Sequence, residues 1–276
     1  MPTEARSVAV PGGSLHVVVD GEGPPILLVH AGIVDLRAWD ALVPHLVEAG
    51  YRVVRYDCRG FGQSPTEDID YSNRGDLRAV LDDLGIGRAV LVGNSRGAMI
   101  ALDTVLETPE RAVAFVWVGG GIGGYEGSDP TTEELAIFER ADELERANDP
   151  DAMADLEVQI WVDGIGQPAG RAPAWIRDAV REMDLPLLQS DRVAGRPIQL
   201  EPVANERLGE IRIPVLVVVG ALDVSGTREA AERLEEGVPG ARRIVYADVA
   251  HMVGMEAPER LAADIVALVQ PLGTWG

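Results

Sequence analysis

The sequence predicts an α/β fold in which a mostly parallel, doubly wound sheet is interrupted by a helical insertion. Short apolar runs alternate with segments of helical periodicity along most of the chain, which is typical of a sheet covered by helices on both faces. Between about residues 121 and 205 this alternation gives way to acidic helical patterns. We therefore expect an α/β core from 1–120 and 206–276, with the insertion at 121–205.

The elements before the insertion follow from apolar periodicity and from turn residues. Two apolar runs flank a Pro-Gly-Gly turn and predict an antiparallel hairpin. Helices are predicted where apolar residues recur at helical spacing, as at Leu77, Val80 and Leu84. In order, the predicted elements are hairpin 7–10 and 14–19, strand 26–30, helix 37–49, strand 52–56, helix 72–84, strand 89–92, a helix carrying Met99 to Leu106, and strand 112–118.

The insertion carries two acidic helical patterns, at 131–147 and 151–162, and no convincing strand. The alternation then resumes with strand 215–219, a helix near 227–236, strand 242–246 and a final helix near 256–269. One α/β core with a single helical insertion is the simplest organisation that accounts for this order.

Composition limits the class of protein. The chain has 276 residues, of which 46% are hydrophobic and 25% charged, so it can bury a large globular core. Its apolar runs are far shorter than the roughly 20 residues that cross a bilayer, and its N-terminus lacks a signal-peptide pattern. The single cysteine, Cys58, fits a reducing compartment. We expect a cytoplasmic protein.

The formal net charge of −21 argues against several kinds of partner. An acidic surface repels phosphate backbones and anionic lipid, so we expect neither nucleic acid nor membrane as a partner. A small-molecule substrate remains the expected partner. The sequence leaves the oligomeric state open, with a homodimer among the arrangements it allows.

The most informative motif is Gly93-x-Ser95-x-Gly97, which lies between a buried strand and a helix. A serine there occupies a sharp turn that exposes its hydroxyl above the edge of the sheet. The flanking glycines remove Cβ atoms that would collide with the strand and the helix. The free N–H groups at the helix N-terminus can stabilise a developing oxyanion. The motif predicts that Ser95 is a nucleophile.

With two further segments, the chain resembles the α/β-hydrolase superfamily from about residue 26 to residue 269. The segment 30-HAGIVDLRAW-39 is similar to the family's oxyanion loop, with Ala31 in place of the usual first glycine. The segment 57-DCRGFGQS-64 is similar to the structural turn that follows the next strand. The resemblance implies the α/β-hydrolase fold, in which the insertion forms a cap over the nucleophile.

The resemblance also implies an oxyanion hole made by the backbone N–H groups of Gly32 and Arg96. A register shifted by one residue, to Ile33, stays open. The longer Arg96 side chain is not required for this role, because only its N–H is used.

A serine nucleophile needs a base, and His251 is the best of the four histidines. It lies in a short loop between a strand and a helix, which matches the position of the family's catalytic histidine. Asp223 follows the end of a buried strand, and the order Ser95, Asp223, His251 is the order of this superfamily. Asp248 is the rival acid, three residues before His251. It is better suited to bracing the loop.

The other motifs in the sequence give weaker indications of function. Gly119-x-Gly121-x-x-Gly124 spells a dinucleotide fingerprint, but a loop follows it instead of the helix that would hold a pyrophosphate. No cluster of histidine and cysteine has metal-ligand spacing, so we expect neither a cofactor nor a metal. Trp161 and Trp175 of the insertion are candidates for lining the substrate pocket, although such residues more often form the core of a cap.

The resemblance implies a hydrolase that cleaves a small carboxylic ester or lactone through an acyl-enzyme. Two related activities stay open, namely hydrolysis of a carbon–carbon bond in a diketone and a cofactor-free, haloperoxidase-like esterase. A serine nucleophile argues against the family members that use aspartate. The alternative from another class is a non-catalytic receptor for a small molecule on the same scaffold.

Overall fold

The computed structural model describes residues 3–190 and 195–275. Eight strands of these residues form one sheet in the order β1-β2-β4-β3-β6-β7-β9-β10, and two short strands, β5 and β8, pair separately. The strands are β1 Glu4–Val10, β2 Gly13–Asp20, β3 Pro25–Val29, β4 Arg52–Tyr56, β5 Asp70–Tyr71, β6 Ala89–Asn94, β7 Ala112–Val118, β8 Arg196–Pro197, β9 Val215–Gly220 and β10 Arg242–Tyr246. From β4 to β10 the large sheet is parallel, while β1 and β2 are antiparallel to their neighbours. The predicted fold class is confirmed.

Helices connect the parallel strands and cover both faces of the sheet. Successive residues of a strand point to opposite faces, so Leu27 and Val29 join one core while Ile26 and Leu28 join the other. Helices α2, α3 and α8 cover the first face, and α1 and α10 cover the second. The helices are α1 Val43–Glu48, α2 Asn73–Asp83, α3 Arg96–Glu107, α4 Thr132–Ala147, α5 Pro150–Val158, α6 Ala174–Leu188, α7 Ala204–Arg207, α8 Ser225–Gly237, α9 Val253–Glu256 and α10 Pro258–Val269.

One predicted helix is divided in the structure, and a proline lies in the first turn of two helices. The pattern at 37–49 gives a 3₁₀ turn, Leu36–Trp39, followed by α1, which has Pro44 in its first turn. The pattern at 256–269 matches α10, which begins at Pro258 and follows the short helix α9. Proline has no N–H and clashes with the preceding turn, so it is favoured in the first turn of a helix, and Pro186 inside α6 is an exception.

The segment 121–205 contains α4, α5 and α6, but it also contains the short strand β8, which the sequence did not predict. This strand pairs with β5, which follows the turn at 57–64. Two residues are too few for any periodic signal, which is why the pair is invisible in the sequence. The contacts of α4, α5 and α6 show where these helices lie. The division of the chain into a core domain and a cap domain stays a prediction.

A third apolar cluster joins the insertion to the loops at the edge of the sheet. It combines residues of α5, of α6 and of the segment between them with residues of the loop after β3 and of the segment that begins after His251. Its buried members are Ala31, Val34, Ala38, Val158, Val162, Ala172, Ile176, Val180, Met183, Met252 and Met255. The insertion therefore packs against the two loops that carry Gly32 and His251. No helix in the described ranges has the length and apolar character to cross a bilayer.

A buried carboxylate, that of Glu134, ties the first helix of the insertion to the core. Its Oε1 accepts a hydrogen bond from Ser225 N (2.5 Å) and its Oε2 accepts bonds from Ser225 Oγ (2.6 Å) and Thr131 N (2.8 Å). Burial alone would raise the pKa of Glu134, but the hydrogen bonds from Ser225 and Thr131 outweigh it and lower the pKa to about 2. Ser225 lies two residues after Asp223, so Glu134 also anchors the loop of the predicted triad acid.

We expect Glu134→Gln to destabilise the protein at neutral pH by about 1–3 kcal/mol, because charged hydrogen bonds become neutral ones. The folded pKa lies below the unfolded value of about 4.3, so this stability is present above that value and is lost as the pH falls towards 2. The difference between variant and wild type in free energy of unfolding should therefore shrink by about half between roughly pH 7 and pH 3.

Urea unfolding at both pH values measures this difference. Glu133→Gln is the matched control, because it removes the same charge from an exposed neighbour in the same helical turn. An effect of Glu133→Gln as large as that of Glu134→Gln, or a difference that does not depend on pH, would contradict the assignment.

Candidate active site

Ser95 lies in a strained turn between β6 and α3. Its backbone has φ +54° and ψ −118°, which L-residues rarely adopt. A Cβ on Gly93 would lie 2.2 Å from Gly97 O, and one on Gly97 would lie 2.1 Å from Val29 O. Only glycine fits at either position. The turn is further fixed by the hydrogen bond that Ser95 N donates to Val118 O of the next strand (2.9 Å).

Asp223 and His251 meet at the same edge of the sheet. His251 Nδ1 lies 2.8 Å from Asp223 Oδ2, and both side chains are buried. A carboxylate can only accept, so Nδ1 carries the proton and Nε2 is the nitrogen that can accept one. The rival acid, Asp248, instead forms a salt bridge with Arg260 at the surface (2.8 Å). The structure thus brings Asp223, and not Asp248, to the imidazole.

Asn94 links the histidine loop to the serine turn, a contact that the sequence did not predict. Its Nδ2 donates to Val118 O (3.0 Å) and to His251 O (3.3 Å). Because Asn94 directly precedes Ser95, these bonds bring His251 beside the turn that carries the serine. An asparagine inside a Gly-x-Ser-x-Gly motif carries no signal of this contact in the sequence, since the position is variable by the definition of the motif.

The glycine run after β7 borders the same site. A Cβ on Gly119 would lie 3.1 Å from Asp223 Oδ2 and 3.5 Å from His251 Nδ1, and one on Gly120 would lie 3.0 Å from Ser95 O. From the sequence, this run predicts only a loop that does not bind a dinucleotide. The structure gives its first two glycines a steric reason, because side chains there would displace the three predicted triad residues.

The two predicted oxyanion residues lie against each other. A Cβ on Gly32 would lie 3.9 Å from both Cβ and Cδ of Arg96, which is the first residue of α3. The Arg96 guanidinium lies over the ring of Phe61, 4.9 Å from its centroid, and donates to Asn73 Oδ1 (3.1 Å). The stem of Arg96 thus packs against Gly32, and its guanidinium contacts Phe61 and Asn73. The role of the two N–H groups stays a prediction.

Hydrogen bonds of His30 and Asp57 stabilise the predicted oxyanion loop. His30 Nε2 accepts a bond from Cys58 N (2.8 Å), so its Nδ1 carries the proton and donates to Ala31 O (2.7 Å). Asp57 Oδ1 accepts from Leu36 N (2.9 Å), and its Oδ2 accepts from the N–H of the turn at residue 63 (2.8 Å). Burial raises the pKa of Asp57 despite these bonds. The turn at 57–64 therefore supports the loop, as expected.

The two candidate pocket residues lie in different places. Trp161 is half-buried, its ring centroid lies 4.7 Å from that of His251, and its carbonyl accepts a bond from His251 N (3.2 Å). It belongs to a π-helical turn, Gln159–Gly164, a geometry common at functional sites. Trp175 is 53% exposed and lines a surface cavity of about 340 Å³ with Arg37 and Glu182. Among the described residues, no contact of Trp175 supports a role in substrate binding, so that role stays a prediction.

Comparison with known proteins identifies the family of the chain. The model of the alpha/beta hydrolase family matches residues 26–264. A protein of Burkholderia vietnamiensis named 2-hydroxy-6-oxononadienedioate/2-hydroxy-6-oxononatrienedioate hydrolase is 30% identical over 258 residues, which cover 90% of this chain and 84% of the relative. A protein of Klebsiella pneumoniae with the same name is 28% identical over 255 residues, 88% of this chain and 86% of the relative.

Solved structures with similar folds cover almost the whole chain. The enol-lactonase from Burkholderia xenovorans matches with a TM-score of 0.75 and 25% identity, over 96% of this chain and 100% of the other. The carboxylesterase CesB from Bacillus subtilis matches with a TM-score of 0.72 and 21% identity, over 98% and 92%, and shows the fold alone. The family model covers most of the chain, and the fold agrees with it. The chain belongs to the alpha/beta hydrolase family.

Proposed function

We propose that this hydrolase cleaves a small, uncharged carboxylic ester or lactone through an acyl-enzyme on Ser95. In the proposed mechanism His251 Nε2 takes the Ser95 proton as the hydroxyl attacks the carbonyl carbon, and later returns it to the leaving alcohol. Asp223 stabilises the imidazolium that forms. The N–H groups of Gly32 and Arg96 bind the oxyanion, and water then attacks the acyl-enzyme with His251 again as base.

The observation that carries this proposal is the hydrogen bond between His251 Nδ1 and Asp223 Oδ2, formed beside a serine with strained backbone. It fixes the tautomer in which Nε2 can accept a proton. Among the described residues the Ser95 hydroxyl has no hydrogen-bond partner, so its bond to Nε2 is one that the substrate complex would form. A general base is worth about 10²–10⁴ in rate and one oxyanion donor about 10²–10³.

The charges of the protein favour an uncharged substrate. The net charge of −21 repels a dianion from the surface. The arginines that the insertion places between residues 171 and 181 are engaged by carboxylates: Arg171 by Glu256, Arg177 by Asp163 and Arg181 by both Asp151 and Asp155. A carboxylate of the substrate would therefore compete with carboxylates that the protein already supplies.

A second candidate, hydrolysis of a carbon–carbon bond, is favoured by the names of the curated relatives, which act on a dienedioate. Such a substrate needs a cation for its carboxylate. Arg96 is the candidate in this chain, because its Nη1 is buried without a hydrogen-bond partner and the described residues supply no carboxylate to its guanidinium. The same serine, histidine and aspartate would serve this reaction.

We expect Ser95→Ala to abolish turnover of p-nitrophenyl butyrate, with a loss in kcat of about 10⁴-fold or more, because removing the nucleophile disables the triad. In the wild type a fluorophosphonate probe should add its mass to the peptide that contains Ser95, as read by mass spectrometry. Ser128→Ala is the matched control, since Ser128 is exposed on the insertion. It should retain full turnover and full labelling.

A binding protein on the same scaffold would give a different result. In that case the wild type and Ser95→Ala would hydrolyse the ester at the same slow rate, and labelling of Ser95 would not predict turnover. Equal rates of ester hydrolysis by the wild type and Ser95→Ala would rule out catalysis by Ser95.

We expect neutral esters and lactones to be better substrates than a 2-hydroxy-6-oxo-dienedioate, with kcat/KM at least about 10-fold higher, because the acidic surface repels the dianion. Raising the ionic strength from about 20 mM to about 500 mM should increase kcat/KM for the dianion and leave the neutral ester unchanged. Steady-state kinetics on matched concentrations of both substrates measure this. A dienedioate that is the better substrate at low salt, and loses that advantage in Arg96→Gln, would favour the second candidate.

A further inference from the structure

Arg171, on the insertion, uses all three of its side-chain nitrogens to join the insertion to the histidine loop, defined as residues 248–256. Its Nη2 forms an ion pair with Glu256 Oε2, and its Nη1 donates to Asp248 O (2.9 Å). Towards the insertion, Nε donates to Asp163 O (2.6 Å) and Nη2 to Val162 O (2.5 Å). One side chain thus holds two carbonyls of the insertion against one carbonyl and one carboxylate of the histidine loop.

Glu256 connects Arg171 to the backbone of Ala250, the residue before His251. Its Oε1 accepts a hydrogen bond from Ala250 N (3.0 Å), and its side chain is 4% exposed. Burial raises the pKa of Glu256, although the bond from Arg171 acts in the opposite direction. A carboxylate at this depth is costly without a cation, so Glu256 and Arg171 depend on each other for their charges.

The position of Arg171 is itself determined by Asp163, which is fully buried. Asp163 accepts hydrogen bonds from Gly170 N (2.9 Å) and Ala172 N (3.1 Å), on either side of the arginine. Two residues earlier, Trp161 O accepts the bond from His251 N, and its ring lies beside the imidazole. The segment 161–172 therefore contacts His251 directly through Trp161 and indirectly through Arg171.

We propose that Arg171 and Glu256 form a positioning pair that holds His251 in place from the insertion and balances the charge beside its imidazole. Neither residue touches the reacting atoms in this proposal. They act through the backbone of the histidine loop and through the electrostatic potential at the ring. The consequence for catalysis rests on the proposed function, whereas the consequence for titration of His251 does not.

The direction in which the titration of His251 shifts follows from the charged groups around Arg171, Glu256 and His251. Asp223 faces His251 from the end of β9, Asp248 is neutralised by Arg260, and Asp163 is paired with Arg177. The charges of Arg171 and Glu256 cancel while both are present. Losing the glutamate leaves a positive charge that disfavours the imidazolium. Losing the arginine raises the pKa of the buried Glu256 carboxyl further, so Glu256 becomes neutral and the pair again carries no net charge.

The test measures the pH at which His251 titrates, by NMR of the imidazole signals. The chain has four histidines, so the His251 signals are assigned by their loss in His251→Gln. We expect Glu256→Gln to move the titration midpoint downward by about 0.5–1 pH unit, and Arg171→Gln and the double variant to leave it near the wild-type value. A midpoint that stays unchanged in Glu256→Gln overturns the electrostatic part.

Kinetics test the positioning part. The acid limb of the pH profile of kcat/KM for the neutral ester should shift in the same direction as the NMR midpoint in each variant. Arg171→Lys keeps the charge but not the array of donors, so it should keep the wild-type limb while kcat falls about 10- to 100-fold from loss of geometry. A limb that shifts in Arg171→Lys, or an unchanged kcat in Arg171→Lys, overturns this part.

Arg260→Gln is the matched control, because it removes an exposed arginine that pairs with the same histidine loop. It should leave both the midpoint and kcat at wild-type values. If Arg171→Gln does not fold, Glu256→Gln and Arg171→Lys still decide the outcome. Wild-type protein whose Ser95 is neither labelled nor needed for turnover refutes the proposed function alone, because the NMR midpoints still report on the pair.

Discussion

The strained backbone of Ser95 is the constraint on which the rest of the site depends. A residue in such a conformation costs about 1–3 kcal/mol and persists only where its surroundings enforce it. Here the enforcement is steric, because α3 approaches the ends of β3 and β6 so closely that Gly93 and Gly97 accept no side chain. Since β6 lies between β3 and β7 inside the sheet, the strain is supported by the most buried part of the fold.

Buried carboxylates fix the loops around this turn by accepting backbone N–H groups. In loops, backbone donors lack the partners that regular structure supplies, and a buried carboxylate satisfies them while defining the path of the chain. The carboxylates with this role are Asp57 for the turn under the oxyanion loop, Glu134 and Asp223 for the segment after β9, Asp163 for the turn of the insertion, and Glu256 for the histidine loop. Part of the acidic composition therefore has a local structural use that net charge alone does not reveal.

The sequence was sufficient for the sheet and for the close approach of Asp223 and His251, because these follow from long periodic runs and from residues at strand ends. It was insufficient where two residues far apart in the chain depend on each other. Arg171 and Glu256 are 85 positions apart, and no spacing in the sequence links one to the other. The pair β5 and β8 was missed because each strand has only two residues. Single residues such as Pro44 do carry the signal that divides a predicted helix, because proline is favoured in the first turn.

The predicted catalytic residues lie on two kinds of structure that differ in rigidity, namely the ends of strands and a loop. Ser95 and Asp223 follow the ends of parallel strands, so the sheet alone determines how far apart they lie. His251 lies on a loop whose backbone is bound by Trp161 and, through Glu256, by Arg171 of the insertion. Any movement of the insertion that admits a substrate must therefore either preserve these contacts or shift the imidazole. A displacement of the whole insertion would break them and would remove both supports of the imidazole.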